Sequence, residues 1–392
     1  MRAPHARLAR LPEAAVLPDY GHDSLYGLAS GLKRWLHDAD AGWTHGEVQA
    51  GVRTTVLFLV IDGLGARFLS ECGQGSTLLA HRAGEISSVF PSTTASAMTT
   101  LYTGVAPAVH GLNGWFIHDR RFGGVIAPLP MMYRSGGALE AFRLLPRLCP
   151  QPSMFKGAKR KVSYVSPQAI AFSRFSQRHA QGAHVRPYTG LDDMHDAIVE
   201  EVRSLRSGGL VFAYYPVFDA ISHQYGCRSL QALERFQRVD AMFSRLCEAL
   251  SGAGVHVVVT ADHGFIDSAP EREVRADARL AEMLEAPLFG ERRLAFCAVR
   301  AGAHADFESW AAQELAGKAV AVRGADCIEA GFFGPGRYNA RLFERVGSHV
   351  LLMEPGWTIV DEVEGEQQHV MIGVHGGLTA DEMRIPLIRL RT

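Results

Sequence analysis

The stretch Thr54-Thr55-Val56-Leu57-Phe58-Leu59-Val60-Ile61-Asp62-Gly63 decides the fold. Its apolar, β-branched run is unbroken, too short for a helix of ordinary length, and closed by an acid and a glycine. Such a run reads as a strand covered by protein on both faces, which is the habit of parallel sheets. Two further runs, Leu210–Tyr215 and Val255–Thr260, have the same character, and each is followed by a turn and a helix-like pattern. Residues 191–207 and 228–250 carry apolar side chains at three- and four-residue spacing, the signature of amphipathic helices. Alternation of strand and helix at these lengths predicts an α/β fold, with a mostly parallel central sheet and helices on both faces.

Two segments break this rhythm. Residues 116–190 and 267–345 hold glycines, prolines and aromatics without clean periodicity, and they read as insertions that wall a pocket on a single catalytic domain spanning residues 1–392.

Bulk composition excludes several functions. The 392 residues carry 40 Lys+Arg against 41 Asp+Glu, so no basic stripe for nucleic acid or for an anionic membrane is implied. The six cysteines, at 72, 149, 227, 247, 297 and 327, form no C-x-x-C pair and read as ordinary thiols of a reducing compartment. The N-terminus has charge but no apolar segment after it, and no stretch approaches the roughly 18 apolar residues of a spanning helix. A cytoplasmic location is the expectation; oligomeric state is not legible.

In open α/β sheets, ligands gather beyond the carboxyl ends of the strands. Asp62, Asp219 and Asp262 all lie at or just after such ends. Asp219 and His223 are four apart, which on a helix places both on one face, where one cation can meet them; a plain polar pair has the same spacing. Asp262-His263 follows a strand, and Gly264 supplies the break needed for both side chains to reach one site; an aspartate capping a helix beside a surface histidine would read the same. His375 sits between Gly373 and Gly376-Gly377, where the backbone can turn sharply. In Phe90-Pro91-Ser92-Thr93-Thr94-Ala95, small residues follow the hydroxyls, so a helix starting there would aim its free N–H groups at a nucleophile, Thr94. A simple N-cap cluster fits that segment equally well. Carboxylates, imidazoles and one hydroxyl at separate strand ends are what a two-metal phosphoryl-transfer site needs.

Taken together, Leu59-Val60-Ile61-Asp62-Gly63, Phe90-Pro91-Ser92-Thr93-Thr94, Thr103-Gly104, His110-Gly111, Asp219-x-x-x-His223, Thr260-Ala261-Asp262-His263-Gly264 and His375-Gly376 give a sequence that resembles the alkaline phosphatase superfamily, most closely its nucleotide pyrophosphatase/phosphodiesterase branch. The resemblance implies an alkaline-phosphatase-like core with inserted cap segments and two divalent metal ions, zinc ahead of manganese or iron. One metal would take Asp219, His223 and His375; the other would take Asp62, Asp262, His263 and the Thr94 hydroxyl. It also implies attack by Thr94 on phosphorus to give a phospho- or nucleotidyl-threonine that water then hydrolyses.

One departure stands out. Diesterase members carry an asparagine after the His-Gly turn as a donor to the phosphoryl oxygen, and here that place falls on Trp115, with Asn113 two residues earlier. Asn113 is the candidate for that role, while 116–121, Lys156 and Phe175 are candidate leaving-group contacts. The expected function is hydrolysis of a phosphodiester or pyrophosphate bond in a small phosphoester such as a nucleotide. The rivals are a monoesterase or phosphotransferase with the same site, and a metal-binding homologue without activity.

Overall fold

The structure is a computed structural model that describes residues 10–45, 48–141, 143–205, 207–366 and 370–392. Its centre is a seven-stranded sheet built from β1 (Thr55–Ile61), β2 (Arg82–Ser87), β3 (Lys161–Pro167), β4 (His184–Tyr188), β5 (Gly209–Tyr215), β6 (His256–Thr260) and β7 (Arg384–Arg391). The order across the sheet is β2-β7-β6-β1-β5-β3-β4. All neighbours pair in parallel except β7, which runs against both β6 and β2. The deciding stretch is therefore the middle strand, with Val56–Val60 in register with His256–Thr260 on one side and Leu210–Tyr214 on the other.

β5 and β6 are buried at every position and β1 at every position but its first, as strands covered on both faces must be. Helices α1 (Leu25–His37) and α2 (Thr94–Thr103) pack on one another, and α3 (Gly190–Ser204), α4 (Val217–Tyr225) and α5 (Leu230–Ala249) form a second packed group. The helices expected at 191–207 and 228–250 are α3 and α5.

The insertion expected over 116–190 is shorter than that reading. Its last two fifths supply β3 and β4 to the central sheet. β3 interleaves Ser and Tyr with valine, and its polar groups are satisfied inside the protein, Tyr164 Oη by Tyr102 Oη at 2.8 Å. β4 is the sheet edge, where the missing N–H of Pro187 costs little. Neither strand shows the apolar run that marks β1. What remains of the insertion forms a small antiparallel sheet over Ile117–Asp119, Gly124–Ala127 and Met132–Tyr133.

The second insertion extends further than 345. An antiparallel sheet of Phe289–Glu291, Leu294–Cys297, His349–Met353 and Ala319–Arg323 forms a cap with apolar cores of its own. Arg293 ties this cap to the core. Its guanidinium meets the Glu382 carboxylate at 3.1 Å with both side chains fully buried, and Glu382 in turn accepts from the N–H of Gly377, two residues after His375. A second buried pair, Arg345 with Asp119 at 2.8 Å, fastens the loop after His110 to the same cap. Among the described residues, no helix is long and apolar enough to cross a membrane, and all six cysteines are free thiols.

Candidate active site

The carboxyl ends of β1, β2, β5 and β6 open on one edge of the sheet, and the chain delivers a ligand-type side chain or hydroxyl from each. Asp62 follows β1 directly. Asp219 and His223 lie on α4, which begins two residues after β5, and Asp262 and His263 follow β6. The turn after β2 leads through Ser92 and Thr93 to Thr94, the first residue of α2. His375 arrives on a short strand, Gly373–Val374, that pairs with Ile266–Asp267.

Two groups of three form. Asp219, His223 and His375 bring their ligand-type atoms together, as do Asp62, Asp262 and His263. In the first group, His223 Nε2 lies 3.2 Å from His375 Nε2 and 3.5 Å from Asp219 Oδ1. In the second, His263 Nε2 is 3.4 Å from both Asp62 Oδ1 and Asp262 Oδ2. Asp219 Oδ1 lies between the groups, 3.8 Å from His263 Nε2 and 3.9 Å from His375 Nε2. Thr94 Oγ1 is 3.1 Å from His263 Nε2.

The hydrogen bonds around these atoms fix what they can do. Each imidazole uses Nδ1 on a backbone carbonyl: His223 on Gly373 at 2.8 Å, His375 on Ser92 at 3.1 Å, His263 on Gly264 at 3.0 Å. A carbonyl only accepts, so Nδ1 carries the proton and every Nε2 presents a lone pair to the site. Two lone pairs 3.2 Å apart, those of His223 and His375, therefore repel rather than hydrogen-bond. Asp262 Oδ1 accepts from the N–H groups of Gly63 and His263, both at 3.0 Å, and Asp62 Oδ2 accepts from the Tyr214 hydroxyl. The other oxygens, Asp62 Oδ1 and Asp262 Oδ2, together with Asp219 Oδ1, are buried without a hydrogen-bond partner among the described residues.

Buried carboxylate oxygens left without donors are costly unless a cation meets them. Burial and the neighbouring carboxylates push Asp62 well above the usual range, burial chiefly raises Asp219, and burial with two adjacent imidazoles holds His375 well below its ordinary value. Three bare carboxylate oxygens, three aligned lone pairs and one hydroxyl fit a pair of divalent cations. The donor set mixes imidazole and carboxylate, as zinc, manganese and iron sites do.

Glycines make the crowding possible. A Cβ on Gly264 would lie 2.0 Å from the Asp381 carbonyl oxygen and 2.8 Å from Gly65 Cα, so only glycine lets the chain break sharply after His263. On the turn after β2, Ser92 Oγ is spent on the Gly377 carbonyl and Thr93 Oγ1 on Glu291 Oε1, at 2.8 and 2.5 Å. Thr94 is the partly exposed hydroxyl of the three, it faces His263, and it stands where the first N–H groups of α2 have no carbonyl a turn behind them.

All seven residues expected at the metals thus converge. Asn113 hydrogen-bonds to none of them among the described residues: it is fully buried, and its Nδ2 donates to the Arg345 carbonyl at 3.0 Å. Phe175 packs in the core against His179, with ring centroids 4.2 Å apart, and Lys156 is exposed. Three residues that sequence reasoning passed over belong to the site. Tyr214 holds Asp62. Phe265 sets its ring against all three imidazoles, at 4.9 Å from His223, 5.5 Å from His263 and 5.2 Å from His375. Glu291, from the cap, accepts from Thr93 and from the N–H of Trp115 at 2.7 Å. A further group, His22, Asp23 and His45, stacks its two rings nearly parallel at 4.3 Å, with His22 Nδ1 at 3.0 Å from Asp23 Oδ1 and His45 Nε2 at 2.8 Å from the His22 carbonyl oxygen.

A family model described as type I phosphodiesterase / nucleotide pyrophosphatase matches residues 56–378. The chain belongs to that family, a family of phosphodiesterase- and pyrophosphatase-type hydrolases within the alkaline phosphatase superfamily. Solved structures share its fold. Murine ectonucleotide pyrophosphatase/phosphodiesterase 5, an inactive variant in complex with AMP, is 16% identical over 85% of this chain and 87% of its own, with a TM-score of 0.61. Phosphonoacetate hydrolase from Sinorhizobium meliloti, in complex with phosphonoformate, is 17% identical over 90% of this chain and 94% of its own, with a TM-score of 0.65. No sequence among the curated proteins matches significantly.

Proposed function

We propose that this chain is a two-metal phosphodiesterase or pyrophosphatase that works through a covalent threonine intermediate on small phosphoesters, nucleotides among them. The observation that carries the reading is the set of three unpartnered carboxylate oxygens and three imidazole lone pairs around Thr94 Oγ1. Asp219, His223 and His375 would hold one cation, and Asp62, Asp262, His263 and Thr94 the other. When bound, two such cations, zinc before manganese or iron, favour the Thr94 alkoxide and neutralise charge on the phosphoryl and leaving oxygens.

Thr94 gives its proton to solvent water and its Oγ1 forms a bond to phosphorus as the bond to the first ester oxygen breaks, and the leaving oxygen departs with a proton from water. The first N–H groups of α2, which no side chain of the described residues caps, stand beside Thr94 and favour the negative phosphoryl oxygens. Water then adds to phosphorus, the Thr94 ester breaks, and the hydroxyl regains its proton. Asp262 and the three histidines stay fixed by their backbone hydrogen bonds, so little reorganisation accompanies either step.

The side-chain partners of Ser92, Thr93 and Thr94 are a carbonyl, a carboxylate and an imidazole, and among the described residues none of these hydroxyls meets a Lys or Arg that could grip a dianion. That supports diesters over the monoesterase or phosphotransferase reading. Thr94→Ala should lower turnover of a nitrophenyl nucleotide diester at least ~10³-fold while metal content stays near two per chain. Unchanged turnover rejects the nucleophile, and a single metal equivalent in the wild type rejects the two-site arrangement.

A further inference from the structure

Glu291 reaches the nucleophile turn from outside the core. It ends the cap strand Phe289–Glu291, and that strand is locked to the loop carrying Trp115 by paired backbone hydrogen bonds between Phe116 and Gly290, at 3.2 and 2.7 Å. On its other side, a Cβ placed on Gly376 would lie 2.6 Å from Glu291 Cβ, so the glutamate leans against the residue next to His375. Its carboxyl thus stands between Thr93, the neighbour of the nucleophile, and His375-Gly376, the arm of the metal cluster. Oε1 is occupied by the Thr93 hydroxyl and the Trp115 N–H. Among the described residues Oε2 has no such donor, and it belongs to a partly exposed side chain beside Trp115, itself 40% exposed.

A carboxyl at this place is opposite to what a monoesterase wants. A monoester is doubly charged near neutral pH, and its second charge must sit on a peripheral oxygen beside the nucleophile. A like charge a few ångströms away, in a site of low dielectric, costs several times what it would in water. A diester carries one charge, which the cluster can take, and offers an ester oxygen and an organic group to the Glu291 side.

We propose that Glu291 is a substrate-contacting specificity residue that excludes doubly charged phosphomonoesters and admits singly charged phosphodiesters. The inference rests on the phosphodiesterase reading above and deepens it. Specificity of this kind works by an element hostile to the wrong ligand as much as by contacts to the right one. Burial pushes the Glu291 carboxyl up to about 7, although the Thr93 hydroxyl and the Trp115 N–H favour its charged form.

The test compares kcat/KM for nitrophenyl phosphate with that for a nitrophenyl nucleotide diester at pH 8, in wild type and in Glu291→Gln, which keeps the size and removes the charge. The ratio of the monoester to the diester value should rise at least tenfold in the variant. An unchanged ratio overturns the proposal. Should the variant fail to fold, wild-type protein still decides, through competitive inhibition by inorganic phosphate and by dimethyl phosphate. The cations by themselves favour the dianion, so dimethyl phosphate inhibiting as well as phosphate or better supports the exclusion, and phosphate winning by tenfold or more overturns it. Failure of the underlying reading looks different: the wild type would then cleave no diester, or Thr94→Ala would cleave it unimpaired.

Discussion

Tyr214 governs a ligand that it merely supports. Its hydroxyl donates to Asp62 Oδ2, which leaves Oδ1 as the oxygen free to meet a cation and fixes the rotamer that aims it. Partners of this kind are worth about 10–100-fold in metal affinity. Tyr214→Phe should therefore weaken the metal held by Asp62, Asp262 and His263 by about that factor, read by titration against a chelator; equal affinity would mean that the backbone alone positions Asp62. Glu291 yields a pH prediction. Burial raises its carboxyl to about 7 against the opposing pull of Thr93 and the Trp115 N–H. A carboxyl raised on folding keeps a proton that the unfolded chain gives up, so its contribution is full at low pH and is lost as pH climbs through about 7. Asp62 and Asp219 are raised too and act in the same direction. In metal-free protein, Tm should fall between pH 5 and pH 8 for the wild type, and fall less for Glu291→Gln. Parallel curves would deny the raised carboxyl. These residues also mark where reading stops at this scale. Asp62, Thr94, Asp219, His223, Asp262, His263 and His375 were legible because charge, imidazole or hydroxyl at a strand end is conspicuous. Tyr214 lies within a run that reads as plain strand, Phe265 looks like any loop aromatic, and Glu291 is one acid in an aperiodic insertion.

Elements rather than residues explain why the two insertions matter. The cap strand bearing Glu291 is followed within two residues by Arg293, whose buried pairing with Glu382 fixes the cap to the segment that also carries His375. Removing one member of a buried pair leaves the other charge stranded, which costs about 3–5 kcal/mol. Arg293→Ala should lose about that much stability in denaturant titration. It should also lower diester kcat/KM although Arg293 touches no ligand, because Glu382 no longer anchors Gly377. Loss of stability with full activity would show that the cap is not needed to seat His375. The strands that read cleanly from sequence, β1, β5 and β6, are the central ones, where burial on both faces demands unbroken apolar runs. β3 and β4 did not read because one buries hydroxyls in a polar network and the other is an edge with a proline. The antiparallel β7 pairs across the sheet with β6 and β2 and lies at the C-terminal end of the chain, far from either in sequence. No local pattern encodes such a partner.

At the scale of the whole molecule, the site is a junction. Core loops after β1, β2, β5 and β6, and the late loop carrying His375, converge on a volume lined by three bare carboxylate oxygens and three lone pairs. The protein alone leaves these like-charged and like-polarised atoms crowded: Asp219 Oδ1 stands within 3.9 Å of imidazole nitrogens from both groups, and no donor in the described chain satisfies it. Cations that bind only the folded arrangement should therefore stabilise the chain as a unit. The size follows from mass action, about 4 kcal/mol per site when free metal is a thousandfold above Kd. Stripping the protein with a chelator should lower Tm by several degrees at least. Added zinc should restore it in two steps, or in one step worth two equivalents, and the restoration should weaken as the pH falls, because protons compete for Asp62 and Asp219, whose affinity for them burial has raised. Thr94→Ala should keep most of the shift, since all six carboxylate and imidazole residues, three in each group, remain. Asp219→Asn should lose more than any other single change, because its free oxygen lies between the groups, 3.8 Å from His263 Nε2 of one and 3.5 Å from His223 Nε2 of the other. A chelated protein that melts where the untreated protein does would mean that these side chains converge for some reason other than metal.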